Sequence, residues 1–457
     1  MAGGIWLSQN KTRPGAYINF TAVPKSSMTT GDRGIVALAL PLKWGASGKL
    51  IEVLSTEMLT GDSKKKVGLT ATDTEAKLLA GALSYCYKAL VYNTNQGGMK
   101  ASATIGGIVA TAKYAGTLGN KLNVAISNDS GVYEVLTYLD GETVDTQRIS
   151  EISELEDNDY IVFSQATEQT TDQDTGTQTT TPITAIVETA GTALEGGTDG
   201  VTVEETAYTN FLKLLAKAHW QTMVCFSENA IIKKTVVDFV KRQRDDEGNY
   251  VQGVVADYDG ADHEGIINSI SGAVIDGVTF SKEEFTSVVA GMTAGANFNE
   301  SNTARTITGA TEIIGELTDE EIKAALKAGK FLLSTSASGK IKVEQDINSL
   351  HTFTKKKDYT FSKNRVIRTL DEIGTTTKTT WEDTYMGKLD NDDDGRKLFK
   401  ADLVAYANEL QRLHAIQNFD VTDIEISAGN DVDSVIANWN VQTVDSMEKL
   451  YMQVNVA

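Results

Sequence analysis

The run LDNDDDGRKLFK, residues 389–400, carries carboxylates of the kind that hold calcium. Asp390, Asp392 and Asp394 stand at alternate positions, and Gly395 follows where an EF-hand loop turns sharply. That register needs a bidentate Glu at its twelfth position. The twelfth residue from Asp390 is Ala401, so the closing ligand is missing and the run is expected to cap the helix that follows. Other chemistry is thin. The four His, at 219, 263, 351 and 414, are scattered, and His263-Glu264 lacks the second His that a zinc-protease helix would place at Ile267. GASGK (45–49) and SASGK (336–340) imitate the end of a phosphate loop, but Leu50 and Ile341 replace the magnesium-binding hydroxyl. No G-x-S-x-G elbow occurs. Cys86 and Cys225 sit in apolar company, as buried thiols do, and two cysteines make neither a disulfide scaffold nor a four-thiolate zinc site. No catalytic, cofactor-binding or metal residue is therefore assigned. A dispersed site around His219, Asp257 and His263, in an acidic cytoplasmic α/β enzyme with a β-rich insertion, is the alternative.

Composition narrows the classes further. A chain of 457 residues exceeds one ordinary core, so several domains are expected. Its net charge of -20 argues against direct nucleic-acid binding, which needs a basic surface. No apolar run is long enough to span a bilayer, and MAGGIWLSQNKTRPG is not a secretory signal, so synthesis in a cytoplasm without membrane insertion is expected. A surface adhesin is disfavoured for the same reason. Residues 149–212 hold thirteen Asp and Glu and no Lys or Arg, the mark of a solvent-facing segment.

The elements that would position these residues follow from periodicity. The pattern predicts an α/β and α+β multidomain protein. An N-terminal arm (1–30) precedes a discontinuous α/β domain (31–95 and 205–312), which is interrupted by an inserted β-rich domain (96–204). A C-terminal α+β domain (313–442) and a C-terminal arm strand (443–457) complete the chain. Residues 17–23 alternate Tyr17, Asn19 and Thr21 against Ile18, Phe20 and Ala22, which reads as a strand. GIVALAL, LIEVL and KALVYNT read as strands, and AKLLAGALSYCY as a helix behind capping residues. The Thr-rich run 167–181 is expected to be an exposed loop. Helices are expected over 362–385 and 396–417, joined by the acidic turn, with Phe399, Leu403, Tyr406, Leu410, Leu413 and Gln417 along one face. At the end Leu450, Met452, Val454 and Val456 alternate with Tyr451, Gln453 and Asn455. Both termini thus read as isolated strands in need of a sheet.

Several blocks of the chain resemble contractile phage tail sheath proteins, in the form also found in defective prophages and phage-tail-like bacteriocins. They are RPGAYINF, YAGTLGNKLNVAI, LEGGTDG, VVAGMTAG, YMGKLDNDDDGRKLFKADLVAYANELQRLHAIQNF and VQTVDSMEKLYMQVNV. The resemblance implies a non-enzymatic subunit of a helical homo-oligomer around an inner tail tube protein. Such a subunit meets baseplate and tail terminator proteins, is located in a virion or phage-tail-like particle, and is made in the bacterial host cytoplasm. It implies that the 96–204 domain projects outward and the C-terminal domain faces the tube. Contraction then drives the tube through a cell envelope. Arm residues Tyr17, Ile18, Asn19, Phe20, Leu450, Tyr451, Met452, Val454 and Val456 would link subunits by strand exchange. Asp392, Asp393, Asp394, Arg396 and Lys397 would face the tube.

Overall fold

The computed structural model describes residues 2–4, 15–17, 28, 33–171 and 178–456. It divides into two compact units: Asp32–Asp371 with Asp445–Ala457, and Met1–Gly31 with Glu372–Val444.

The larger unit is built on a seven-stranded sheet. Its spatial order is Lys330–Phe331, Ile266–Ser269, Gln252–Ala256, Thr222–Val224, Ile35–Leu40, Lys88–Asn93, Leu50–Leu54. The first six are parallel, and Leu50–Leu54 runs antiparallel at the edge. Helices cover both faces, which is why Ile35–Leu40 is an unbroken apolar run buried at every position. Val36, Leu38 and Leu40 face Leu79, Phe285 and Val288, while Ile35, Ala37 and Ala39 face Phe211, Val236 and Val240. Helices Lys77–Leu83 and Lys282–Gly295 touch at Gly291, where a Cβ would come within 2.2 Å of the Ala82 carbonyl oxygen. The strand Ala310–Ile314, the capped helix Asp319–Lys327 and the hairpin Leu333–Thr335/Ile341–Val343 also belong to this unit.

Between Lys88–Asn93 and Thr222–Val224 the chain leaves the sheet to form a sandwich. Asn95–Gln96 and Val201–Thr202 pair with each other, so entry and exit lie side by side. One sheet orders Glu142–Ile149, Val132–Leu139, Leu122–Asp129, Thr189–Ala193; the other orders Ile161–Gln165, Ile108–Ala112, Ser102–Ile105. Ile108, Ala110, Leu122, Val124, Val135 and Ile161 form their common core. Asp140 and Gly141, with φ of 51° and 85°, make the tight turn between two long strands. The Thr-rich segment departs from the expected loop. Thr167–Thr171 pairs with Gln178–Pro182 as a hairpin, exposed at every described position. β-Branched threonines favour extended backbone, and ladder hydrogen bonds form here without burial.

In the smaller unit, helix Asp393–Arg412 buries Phe399, Leu403, Tyr406, Ala407 and Leu410. It stops five residues before the expected end. His414 takes a left-handed φ of 57° and the Ala415 N–H bonds the Leu410 carbonyl, so Gln417 lies outside the helix and is exposed. Trp381 and Tyr385 stack on each other and each meets Phe399 edge to face, and Trp439 meets Tyr406 and Phe419. Trp439 ends the hairpin Ile424–Ala428/Val435–Trp439. Ala2–Gly4 and Gly15–Tyr17 form a short parallel pair. Ile18, Asn19 and Phe20, expected to continue that strand, lie outside the described residues.

Candidate functional site

The residues proposed for dispersed chemistry have separate surroundings. His219 contacts Gln221, and burial holds its imidazole below the ordinary value. Asp257, with a left-handed φ of 43°, accepts from Lys282 and Lys330 at 2.9 and 3.1 Å. His263 lies with Asp245 and Glu264, and their ligand atoms fall within 4.8 Å of one another. This is the arrangement closest to a metal centre among the described residues. The Gly265 N–H donates to His263 Nδ1 at 3.0 Å, which puts the proton of the neutral ring on Nε2. Nε2 is 3.2 Å from Asp245 Oδ2 and 3.6 Å from Glu264 Oε2, so its N–H is directed at the carboxylates rather than left open as a ligand lone pair. Burial holds His263 below the ordinary imidazole value, against the opposite pull of Glu264 and Asp245. Burial also raises the Cys86 and Cys225 thiols to about 12 and about 11, which leaves neither as a thiolate near neutrality.

The acidic turn is explained locally. Asp392 is the N-cap of helix Asp393–Arg412, its Oδ1 accepting from the Gly395 N–H at 2.8 Å. Asp393 and Asp394 occupy the first helical turn, where the backbone dipole favours negative charge, and they pair with Arg396 and Lys397. Gly395 lies in the helix, so close approach, and not a bend, requires it: a Cβ there would sit 2.2 Å from the Asp390 carbonyl oxygen. Asn391 Nδ2 donates to the carbonyls of Val432 and Ser434 at 2.8 and 3.0 Å, tying the turn to the tip of the hairpin Ile424–Ala428/Val435–Trp439.

The surfaces most in need of a partner are backbone edges and one terminal segment. Among the described residues that hairpin is a sheet of two strands, so each strand presents an unpaired outer edge. In the larger unit, Glu448 fastens the C-terminal segment. Its carboxylate accepts from Thr303 Oγ1 at 2.8 Å, from Gln345 Nε2 at 2.5 Å and from Lys363 Nζ. Past that anchor, 450–456 has no regular structure, and Leu450, Tyr451, Met452, Val454 and Val456 are 85, 90, 74, 69 and 92 % exposed. Apolar side chains so placed one after another are a mark of a binding segment rather than of a monomer's finished surface. Nothing local in the sequence marked the anchor, whose partners lie 85 to 145 residues away.

Three family models match the chain in succession. They describe a phage tail sheath protein β-sandwich domain over residues 96–199, a central domain over 202–349 and a C-terminal domain over 356–457. The phage-like element PBSX protein XkdK of Bacillus subtilis is 34% identical over the full length of both chains. The crystal structure of the sheath tail protein from Desulfitobacterium hafniense is 36% identical, covers 96% of this chain and 99% of its own, and superposes with a TM-score of 0.78. The sheath tail protein from Listeria innocua is 35% identical over 93% and 95% of the two chains, with a TM-score of 0.80.

Proposed function

The chain belongs to the phage tail sheath family and is a structural protein rather than an enzyme; from that premise we propose that its copies polymerise helically around an inner tube and are held together by exchange of their terminal arms. The carrying observation is the C-terminal segment, anchored at Glu448 and then presenting five large apolar side chains to solvent. Such a segment gains most by adding as a strand to a sheet edge of another copy. There, backbone hydrogen bonds supply affinity and alternate side chains enter pockets. The two-stranded hairpin in the smaller unit offers receiving edges of that kind. The N-terminal residues around Tyr17 act in the same way at the other end of the chain.

Contraction is a rigid-body rearrangement of the subunit bodies between two packings, with the arms as tethers that survive the change. It drives the tube through a cell envelope, and the location is a phage tail or phage-tail-like particle with baseplate, terminator and tube proteins as neighbours. Removing residues 450–457, beyond the anchor, tests this reading. The shortened chain keeps its fold and fails to form sheath-like cylinders.

A further inference from the structure

The larger unit carries a groove of about 860 Å³ that the arm does not fill. Its apolar lining includes Leu326, Leu350, Phe353 and Met447, of which Phe353 is 45 % and Met447 fully exposed. Phe353 stacks edge to face on Tyr359 at 5.8 Å, which fixes an aromatic wall. Its acids are already engaged: Glu448 by Lys363, Glu344 by Ser334. Lys327 and Lys449 on the rim, and Lys355 and Lys356 on the loop that carries Phe353, have no ion-pair partner among the described residues. An apolar floor with unpaired lysines around it is unusual on a chain of net charge -20, and it selects an acidic occupant with an apolar centre.

The smaller unit presents that shape. Because Asn391 ties the acidic turn to the hairpin tip, two distant segments form one knob. Val432 stands at its tip, 95 % exposed, between Asp431 and Asp433, with Asp390, Asp392, Asp393 and Asp394 on the adjoining turn. The six carboxylates outnumber Arg396 and Lys397, which pair with two of them.

We infer that the acidic knob of one copy docks in the lysine-rimmed groove of a second copy, as a contact separate from arm exchange. It rests on the sheath reading only in requiring that copies assemble. Knob and groove are different surfaces of the same chain, so the contact is heterologous. Contacts of that class propagate as an open helix when the rotation does not close. Because its charges lie at a rim, the contact weakens as salt shortens the range of attraction below about 10 Å at 0.1 M.

The test is a charge swap in the full-length chain, read by pelleting and negative-stain microscopy. Lys327→Glu with Lys449→Glu reverses the groove, and Asp431→Lys with Asp433→Lys reverses the knob. Each reversal alone is expected to lower the polymerised fraction about tenfold, and the four changes together restore it. All four side chains are exposed, so unchanged melting of the monomers excludes misfolding. Wild-type polymers matched by both single-side reversals, or absence of rescue in the combined swap, overturns the inference. So does a knob reversal that polymerises alone but no longer decorates tubes, since the occupant would then be the tube. A wild-type chain that never polymerises overturns the sheath reading instead.

Discussion

Glu448 and Lys363 form an ion pair across 85 residues of sequence, with side chains only 11 and 6 % exposed. Thr303, Gln345 and Ser446 also donate to the carboxylate, so the chain is held at this point immediately before its exposed apolar end. The pair fixes where the arm leaves the body.

The anchor should release with acid. Burial alone pushes the Glu448 carboxyl up, but hydrogen bonds from Lys363, Gln345 and Thr303 outweigh it, and the net displacement is downward. The stabilisation is therefore complete above the unfolded value of about 4.3 and is lost as pH falls through the lower folded value. Hydrogen exchange of residues 446–456 is expected to rise steeply in that acid range. Glu448→Gln should raise it already at neutral pH, with a loss of about 1–3 kcal/mol from leaving Lys363 unpaired. Equal exchange in variant and wild type would show that the segment is held elsewhere.

Arg244 and Asp371 form a buried bidentate pair at 2.9 and 2.6 Å, exposed by only 6 and 7 %. Arg244→Ala strands a buried carboxylate and should cost about 3–5 kcal/mol in denaturant unfolding. Replacing both partners, as Arg244→Met with Asp371→Leu, should recover most of that loss. A double variant as unstable as the single one would mean that the arginine stem, and not the charge, is what the fold needs.

The acidic turn should behave as a helix start. Asp392→Ala removes the N-cap and is expected to cost about 1 kcal/mol. Gly395→Ala forces a Cβ against the Asp390 carbonyl and should cost about 1–3 kcal/mol. Calcium titration should show no stoichiometric binding tighter than about 1 mM. Binding in the micromolar range would make the turn a ligand site despite Ala401 standing where a Glu is required.

Local pattern carried much of the architecture. GIVALAL and KALVYNT became adjacent parallel strands because each apolar run fits a sheet covered on both faces. The expectation that LDNDDDG caps the following helix is met at Asp392. What stayed hidden depends on partners far along the chain. His263 stands in HEGII without the second His of a zinc helix, and only the fold brings Asp245 and the Gly265 N–H to its two ring nitrogens. Glu448 is one acid among many until Thr303, Gln345 and Lys363 surround it. The Thr-rich hairpin was missed because burial is the usual signal for strands, and this one buries none of its described positions.

The role of the C-terminal arm is tested most directly by sedimentation and negative-stain microscopy of the full chain beside one that ends at Lys449. The full chain is expected to form striated cylinders. The shortened chain keeps Glu448 and its partners, should melt at the same temperature, and should remain a discrete particle. Cylinders of normal length from the shortened chain would contradict assembly by arm exchange.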